Sequence, residues 1–133
     1  MSHERHEPDP EVVALASRVF DHARHGHTQD LATYLDAGVP VDLTNDKGDT
    51  LLMLAAYHGH ADTVTLLLDR GADPDRLNDH EQSPLAGAVF QGETEVARVL
   101  ADHGADPDIG TPTARETALM FDQSDLLTLF DTP

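Results

Sequence analysis

Histidines are the residues of this sequence that most invite a chemical role. Nine occur among 133 residues, and His22, His25 and His27 lie in a single six-residue stretch. Imidazole nitrogens bind divalent transition metals, and His22 and His25, three apart on a predicted helix, have a spacing that could share one ion. No closely spaced carboxylate completes a ligand set, so the sequence predicts no metal site and no cofactor.

Residues of the other catalytic types do not form a recognisable site. The chain has no cysteine, which excludes a thiolate nucleophile and a cysteine-based zinc site. The segment "HERHE" (3–7) has Glu7 where a zinc-protease motif needs its second histidine. Ser17 and Ser83 lie outside any Gly-x-Ser-x-Gly elbow, and no phosphate-binding loop is present. The sequence therefore predicts a protein that is not an enzyme, with no catalytic residue.

The charge of the chain limits its partners. Acidic residues number 25 against 8 basic ones, and the net charge is −17. Such a surface repels a phosphate backbone, so we expect no direct binding to nucleic acid. It attracts a basic partner, although acidity also keeps a small protein in solution. No segment has the roughly 18 apolar residues that span a bilayer, nor does the N-terminus resemble a secretory signal. We therefore expect no membrane partner and a cytoplasmic location.

A repeat with a period of 33 residues organises the chain. The segment "RGADPD" (70–75) returns as "HGADPD" (103–108), and Leu52 and Gly59 fall on a leucine and a glycine when the sequence is shifted by the same interval. One period earlier, "GVPVD" (38–42) stands opposite "GADPD". A fixed period of this length indicates at least three copies of one structural unit.

Each unit has a helical pattern. Apolar residues between positions 51 and 68 form two short amphipathic runs separated by Gly59-His60, and neither run is long enough to be a stable helix alone. Gly71 suits the left-handed turn that ends a helix, and Pro74 prevents the helix from resuming. The two aspartates of "GADPD" can accept backbone hydrogen bonds. The repeated motif is therefore predicted to be scaffold.

The segment "DKGDTLLMLAAYHGHADTVTLLLDRGADPD" (46–75) resembles an ankyrin repeat, with its Gly-x-Thr-Pro-Leu-His-Leu-Ala-Ala, Gly-His, Leu-Leu and Gly-Ala-Asp elements. Residues 82–108 resemble it as well. The resemblance implies an all-α ankyrin-repeat solenoid of about four stacked helix-turn-helix units joined by projecting, hairpin-like loops. It also accounts for the Gly-His pairs at 26–27 and 59–60 as turn elements.

We predict a single domain over residues 1–133, in five parts. These are a flexible N-terminus (1–9), an N-terminal cap (10–42), two full repeats (43–75 and 76–108) and a shortened C-terminal cap (109–133). Helices are expected near 10–24, 28–37, 51–58, 61–70, 84–91, 94–103, 117–122 and 124–130, the first starting at Asp9-Pro10.

Departures from the repeat pattern generate expectations of their own. Glu81 stands where the second unit has Gly48, so its hairpin is expected to be less regular. The last unit lacks Gly-His, is one residue late at Thr117 and is about one turn short, as end repeats often are. Leu119, Leu127 and Phe130 are expected to close the core at that end, beneath a polar outer side.

The resemblance implies that a partner meets the concave side, formed by loop tips and the exposed edge of each first helix. Tyr57 and Phe90, one period apart, are expected either to anchor the partner or to cover the groove between units. The positions of this expected partner-binding face are Arg24, His25, Asp46, Lys47, Asp49, Tyr57, His58, Asp79, His80, Gln82, Phe90 and Gln91.

The sequence therefore predicts a non-enzymatic protein–protein interaction module, an adaptor or a regulator. Its partner is expected to be a protein with a basic or mixed surface patch, bound by a monomer. One alternative is an acidic inhibitor that occupies the basic site of a nucleic-acid-binding protein. A third hypothesis is a histidine-dependent metal or pH sensor.

Overall fold

The computed structural model describes residues 9–131, and these form eight helices in chain order. They are α1 (Pro10–His25), α2 (Thr28–Asp36), α3 (Leu51–Tyr57), α4 (Ala61–Asp69), α5 (Pro84–Phe90), α6 (Thr94–Asp102), α7 (Ala114–Met120) and α8 (Ser124–Phe130). Between residues 9 and 131, extended pairing is limited to one bridge, Thr44 with Thr50. Of the predicted flexible segment 1–9, residues 1–8 lie outside the described part.

The helices are arranged in two layers of a single stack. The inner helices α1, α3, α5 and α7 pack side by side in that order, and the outer helices α2, α4, α6 and α8 cover them in the same order. Consecutive helices of the chain form the antiparallel pairs. The predicted all-α stack of helix pairs is confirmed, whereas the exact unit boundaries stay a prediction. None of the helices in the described region has the length and apolar character needed to cross a membrane.

Each inner helix begins at a side-chain cap. The Asp9 carboxylate accepts a hydrogen bond of 2.8 Å from the Glu11 amide, which confirms the predicted start of α1. One hydroxyl plays this role in each later unit, because Thr50, Ser83 and Thr113 each accept the amide three residues ahead at 3.0 Å. A cap of this kind stabilises a helix by about 1 kcal/mol, and it fixes where each unit starts.

The last unit starts earlier than expected. Helix α7 covers 114–120, not 117–122, because Thr113 and Glu116 form a reciprocal capping box. Thr113, not Thr117, is therefore the counterpart of Ser83, and the segment between the third and fourth units is three residues shorter than the one before it. The missing Gly-His is replaced by Asp122, which adopts the left-handed conformation (φ 55°) that glycine has in the other units.

The "GADPD" motif joins neighbouring units as well as ending a helix. Gly71 and Gly104 both adopt left-handed backbone angles, and the alanine after each is buried. The Asp75 carboxylate accepts the Asp106 amide at 2.8 Å, one unit further along. Asp42 accepts the Asp73 amide in the same way at 3.2 Å. The repeated aspartate is therefore an inter-unit hydrogen-bond acceptor.

The core runs along the contact between the two helix layers. The largest fully buried side chains include Leu31, Leu52, Leu67, Leu85, Leu100 and Leu126. At the C-terminal end, Leu127 and Phe130 pack against this core, as expected. The expectation for Leu119 is wrong, since its side chain is 60% exposed. Its counterparts Ala56 and Val89 are fully buried on inner helices that each pack against a following inner helix, whereas no further inner helix follows α7 among the described residues.

The difference in burial between Leu85 on α5 and Leu119 on α7 predicts different losses of stability when each is replaced by alanine. Leu85→Ala should lower the free energy of unfolding by about 2–5 kcal/mol, because it leaves a cavity at a fully buried site. Leu119→Ala, the matched control, should change it by no more than about 0.5 kcal/mol. Urea denaturation followed by circular dichroism measures both. Equal losses in the two variants would contradict the described core.

Candidate functional site

Two projecting loops, residues 43–50 and 76–83, share one internal framework. In the first, the Asn45 side-chain oxygen accepts the amides of Lys47 and Asp49, both at 2.9 Å. In the second, Asn78 accepts the amides of His80 and Gln82 at 2.9 and 3.0 Å. An asparagine side-chain oxygen that accepts two backbone amides closes a tight turn. The two loops therefore present their tips in the same geometry.

The turn at the tip of the second loop is as regular as that of the first, which corrects the expectation for Glu81 there, although only the first loop also forms the Thr44–Thr50 bridge. Glu81 has φ 62° and Gly48 has φ 76°, so both occupy the left-handed region. The Glu81 amide donates to the Asn78 carbonyl at 3.0 Å, and the Gly48 amide donates to Asn45 at 3.1 Å. The asparagine framework imposes this conformation even on a residue that disfavours it.

The two loops are also joined to each other. The Asp79 amide donates to the Lys47 carbonyl at 3.0 Å. The buried Asn78 donates its side-chain amide to Asp49 and to Gln82, both at 2.8 Å. The bond to Asp49 thus joins the two loops, whereas the bond to Gln82 lies within the second loop. The predicted tip residues Asp46, Lys47, Asp79 and His80 remain exposed.

A groove of about 600 Å³ lies between these loops and the exposed edge of α3. Eight of the twelve residues predicted for the partner-binding face line it: Arg24, Asp46, Lys47, Asp49, Tyr57, His58, His80 and Gln82. The groove does not include His25, Asp79, Phe90 or Gln91. Sequence reasoning missed Asn45 and Asn78, although their separation by one period was a usable signal.

Tyr57 and Phe90 have different environments despite their equivalent positions. Tyr57 is half buried, and its ring lies so close to Gly87 that a β-carbon there would be 3.4 Å from the ring. It therefore covers the junction between two units. Phe90 is 55% exposed and meets the Phe121 ring edge-on, with 5.7 Å between ring centroids. Phe90 thus faces solvent.

An apolar cluster continues from the groove toward the C-terminal end of the stack. We define the apolar end as Phe90, Met120 and Phe121, whose exposed fractions are 55%, 65% and 49%. A pocket of about 150 Å³, lined in part by Phe90, Met120, Ala86 and Pro112, lies within it. Met120 and Phe121 escaped the sequence interpretation because they align with Phe90 and Gln91 only after the three-residue shift of the last unit.

His58 has a perturbed titration at the groove. Partial burial lowers the pKa of its imidazole most, and repulsion from His60, Arg24 and His25 lowers it further. The charged form is disfavoured because it loses hydration and meets other cations. His58 is therefore more fully neutral at neutral pH than an ordinary histidine.

Comparison with known proteins agrees with this architecture. A family model described as Ankyrin repeats (3 copies) matches residues 19–111. PA3287 of Pseudomonas aeruginosa (strain PAO1), whose name describes it as an ankyrin repeat protein, is 47% identical over 53 residues, or 40% of this chain. The matched segment covers 31% of that relative's length.

The shared loop framework predicts opposite effects of glycine exchange in the two loops. Glu81→Gly should raise the free energy of unfolding by about 0.5–1 kcal/mol, because relief of left-handed strain exceeds the added flexibility of the unfolded chain. Gly48→Ala should lower it by about 1–2 kcal/mol, because φ is 76° and the new β-carbon would lie 2.9 Å from the Asp79 amide. Thermal and urea unfolding measure the stability of both variants. A loss of stability in Glu81→Gly would refute the claim that the two loops share one backbone geometry.

The environment of His58 predicts a titration below the ordinary histidine range. NMR titration should give a pKa under about 6.5 in the folded chain and a higher value in urea. The pKa of His58 is lower in the folded chain than in the unfolded chain, so neutral His58 favours the folded state. This contribution to the free energy of unfolding is present above the pKa of the unfolded state and is lost as the pH falls through the pKa of the folded state. Arg24→Gln should move the His58 pKa upward. An unchanged pKa in urea would contradict this environment.

Proposed function

The chain belongs to the ankyrin-repeat family, and we propose from this premise that it is a protein-binding module whose partner lies along the concave face. Ankyrin repeats generally serve protein–protein interaction. The proposed site consists of the groove beside α3 together with the apolar end. Binding to the inner helices and loop tips leaves the outer helices free of the partner.

The exposed apolar end is the observation that carries this proposal. Aromatic residues make up only 5% of the chain, yet Phe90 and Phe121 are both on the surface and in contact with each other. Met120 is the most exposed large apolar side chain of the described residues. Contiguous exposed apolar side chains mark interaction sites, and aromatic residues with a polar surround supply much of the binding energy at interfaces.

Charge favours a partner segment that is both basic and apolar. The loop tips carry the Asp46 and Asp79 carboxylates, both exposed, against the single ammonium group of Lys47. The net charge of −17 acts over a longer range in the same direction. Such a field accelerates the encounter with a cationic partner, whereas buried apolar contacts slow its dissociation. We therefore propose a protein partner that places an apolar side chain at the apolar end and basic residues beside the loops.

The test is affinity capture from a lysate of the source organism, with variants that separate the two contributions. The variant Phe90→Ala/Met120→Ala removes the apolar end, and Asp46→Lys/Asp79→Lys reverses the charge of the tips. Val12→Ala/Val13→Ala is the matched control, because it removes two exposed apolar side chains from α1 at the opposite end of the stack. Circular dichroism verifies that all three variants are folded.

We expect one protein to be captured by the wild type and by the control but lost by Phe90→Ala/Met120→Ala. With the purified partner, that double variant should bind at least about tenfold more weakly, as hot-spot truncations do. The charge variant should bind more weakly and with less dependence on salt. Equal capture by the wild type and the Phe90→Ala/Met120→Ala variant would refute the proposed site. Displacement of the captured protein by nucleic acid would instead favour the inhibitor hypothesis.

A further inference from the structure

The turn between α1 and α2 brings together two histidines and an aspartate. His22 lies in the last turn of α1, His27 in the connecting turn and Asp30 in the first turn of α2. One imidazole nitrogen from each histidine and one carboxylate oxygen lie within 4.8 Å of one another. The two Nδ1 atoms are 3.0 Å apart, and the His22 Nδ1 is 4.0 Å from Asp30 Oδ2.

The reversal of the chain at Gly26 creates this arrangement. Gly26 has φ 71°, and a β-carbon there would lie 2.5 Å from the His60 ring, so the turn requires glycine. The His27 amide then donates to the His22 carbonyl at 2.9 Å, which returns the His27 side chain to α1. The sequence interpretation paired His22 with His25, three residues along the helix. The structure instead places His22 beside His27 and supplies the carboxylate that the sequence reading did not find.

The spacing of these atoms suits a transition-metal ion. With metal–nitrogen bonds of about 2.0–2.1 Å, two nitrogens lie about 3.3 Å apart on a tetrahedral ion and about 2.9 Å apart on an octahedral one, so the 3.0 Å pair needs only a small adjustment to bind either. Two imidazoles and one carboxylate suit Zn²⁺ and its first-row neighbours better than Ca²⁺ or Mg²⁺, which prefer oxygen ligands. The Asp30 side chain is exposed, so it can rotate toward the ion without disturbing the core.

Tyr34 supports the first ligand. It lies one turn after Asp30 on α2, and its ring is 5.5 Å from the His22 ring between centroids, with 32° between the planes. Packing of this kind restricts the rotation of an imidazole, which lowers the entropic cost of binding an ion. His22 is therefore partly fixed before a metal arrives, and only the more exposed His27 and Asp30 side chains must be ordered.

We propose that His22 Nδ1, His27 Nδ1 and the Asp30 carboxylate form a binding site for a divalent transition-metal ion, with water in the remaining coordination positions. The ion joins the end of α1 to the start of α2 and so stabilises the first helix pair. This site is separate from the groove and the apolar end, so partner binding and metal binding can be tested independently.

Isothermal titration of the untagged full chain with ZnCl₂ tests the proposal. We expect one ion per chain, together with a higher unfolding temperature when Zn²⁺ is present, because the ion binds the folded state. His22→Gln, His27→Gln and Asp30→Asn should each weaken binding at least about tenfold. Three separate ligand variants keep the test decisive if one of them fails to fold. An absence of saturable Zn²⁺ binding would mean that the histidines form a hydrogen-bonded pair only.

His25→Gln is the matched control for the ligand set. His25 contacts the His27 ring, with 5.8 Å between centroids, but it is not one of the three proposed ligands. Its substitution should leave the Zn²⁺ affinity within about twofold, well short of the loss expected for a ligand. A tenfold loss in this variant would overturn the assignment of His22, His27 and Asp30.

Tyrosine fluorescence provides a second readout that locates the ion. The chain has two tyrosines and no tryptophan, so Tyr57→Phe leaves Tyr34 as the sole emitter. A paramagnetic ion quenches nearby rings, and CuCl₂ should therefore quench Tyr34 in this variant. Added His27→Gln should abolish the quenching at the same Cu²⁺ concentration. Quenching that persists without His27 would place the ion elsewhere and refute the proposed site.

Discussion

Each short inner helix of this protein is stable only because a neighbouring inner helix covers it. A seven-residue helix lacks the length to persist in water, and one outer helix cannot bury all the apolar side chains of such a segment. The positions of Ala56 and Val89 show the dependence directly, since both are fully buried by the next inner helix. Leu119 has the same position in the last unit and is exposed, since the described residues include no further inner helix to cover it. The fixed period, the small residues between units and the inter-unit hydrogen bonds of Asp42 and Asp75 all serve this contact.

Much of the scaffold is predictable because its period appears in the sequence. The two middle units have a glycine, an alanine and two aspartates at equal intervals. Both glycines adopt the expected left-handed angles, and Asp73, Asp75 and Asp106 accept backbone amides as expected. The last unit was misplaced because its connecting segment is three residues shorter, which breaks the period. Thr113-x-x-Glu116 was a readable capping-box signal, and it would have restored the register. Glu81 was misjudged for another reason, since Asn78, not the residue type at position 81, determines the loop conformation.

The candidate binding surface is less predictable than the scaffold because it depends on proximity in three dimensions. Period alone identified most of the groove, because equivalent positions of stacked units fall in a row. It could not show that Tyr57 covers a junction whereas Phe90 faces solvent, since that difference arises from Gly87 and from Phe121. The pairing of His22 with His27 likewise follows from the turn at Gly26, which brings residues five apart closer than residues on one helix face. Helical spacing was therefore the wrong guide to these histidines.

The face formed by the inner helices and the loop tips changes in character from one end of the stack to the other, because the units are in register. Arg24, Tyr57, Phe90 and Met120 occupy equivalent positions of the four inner helices, so the side chain there changes from charged to aromatic to purely apolar along the stack. The carboxylates of the loop tips lie beside the second and third units, whereas the apolar end lies at the third and fourth. A partner whose apolar and basic residues are separated along its own chain can match this order in one orientation only. In the proposed binding mode a reversed partner would bury its cationic side chains against Met120 and Phe121 at a large desolvation cost, so we expect the stack to select the orientation of a partner as well as its composition.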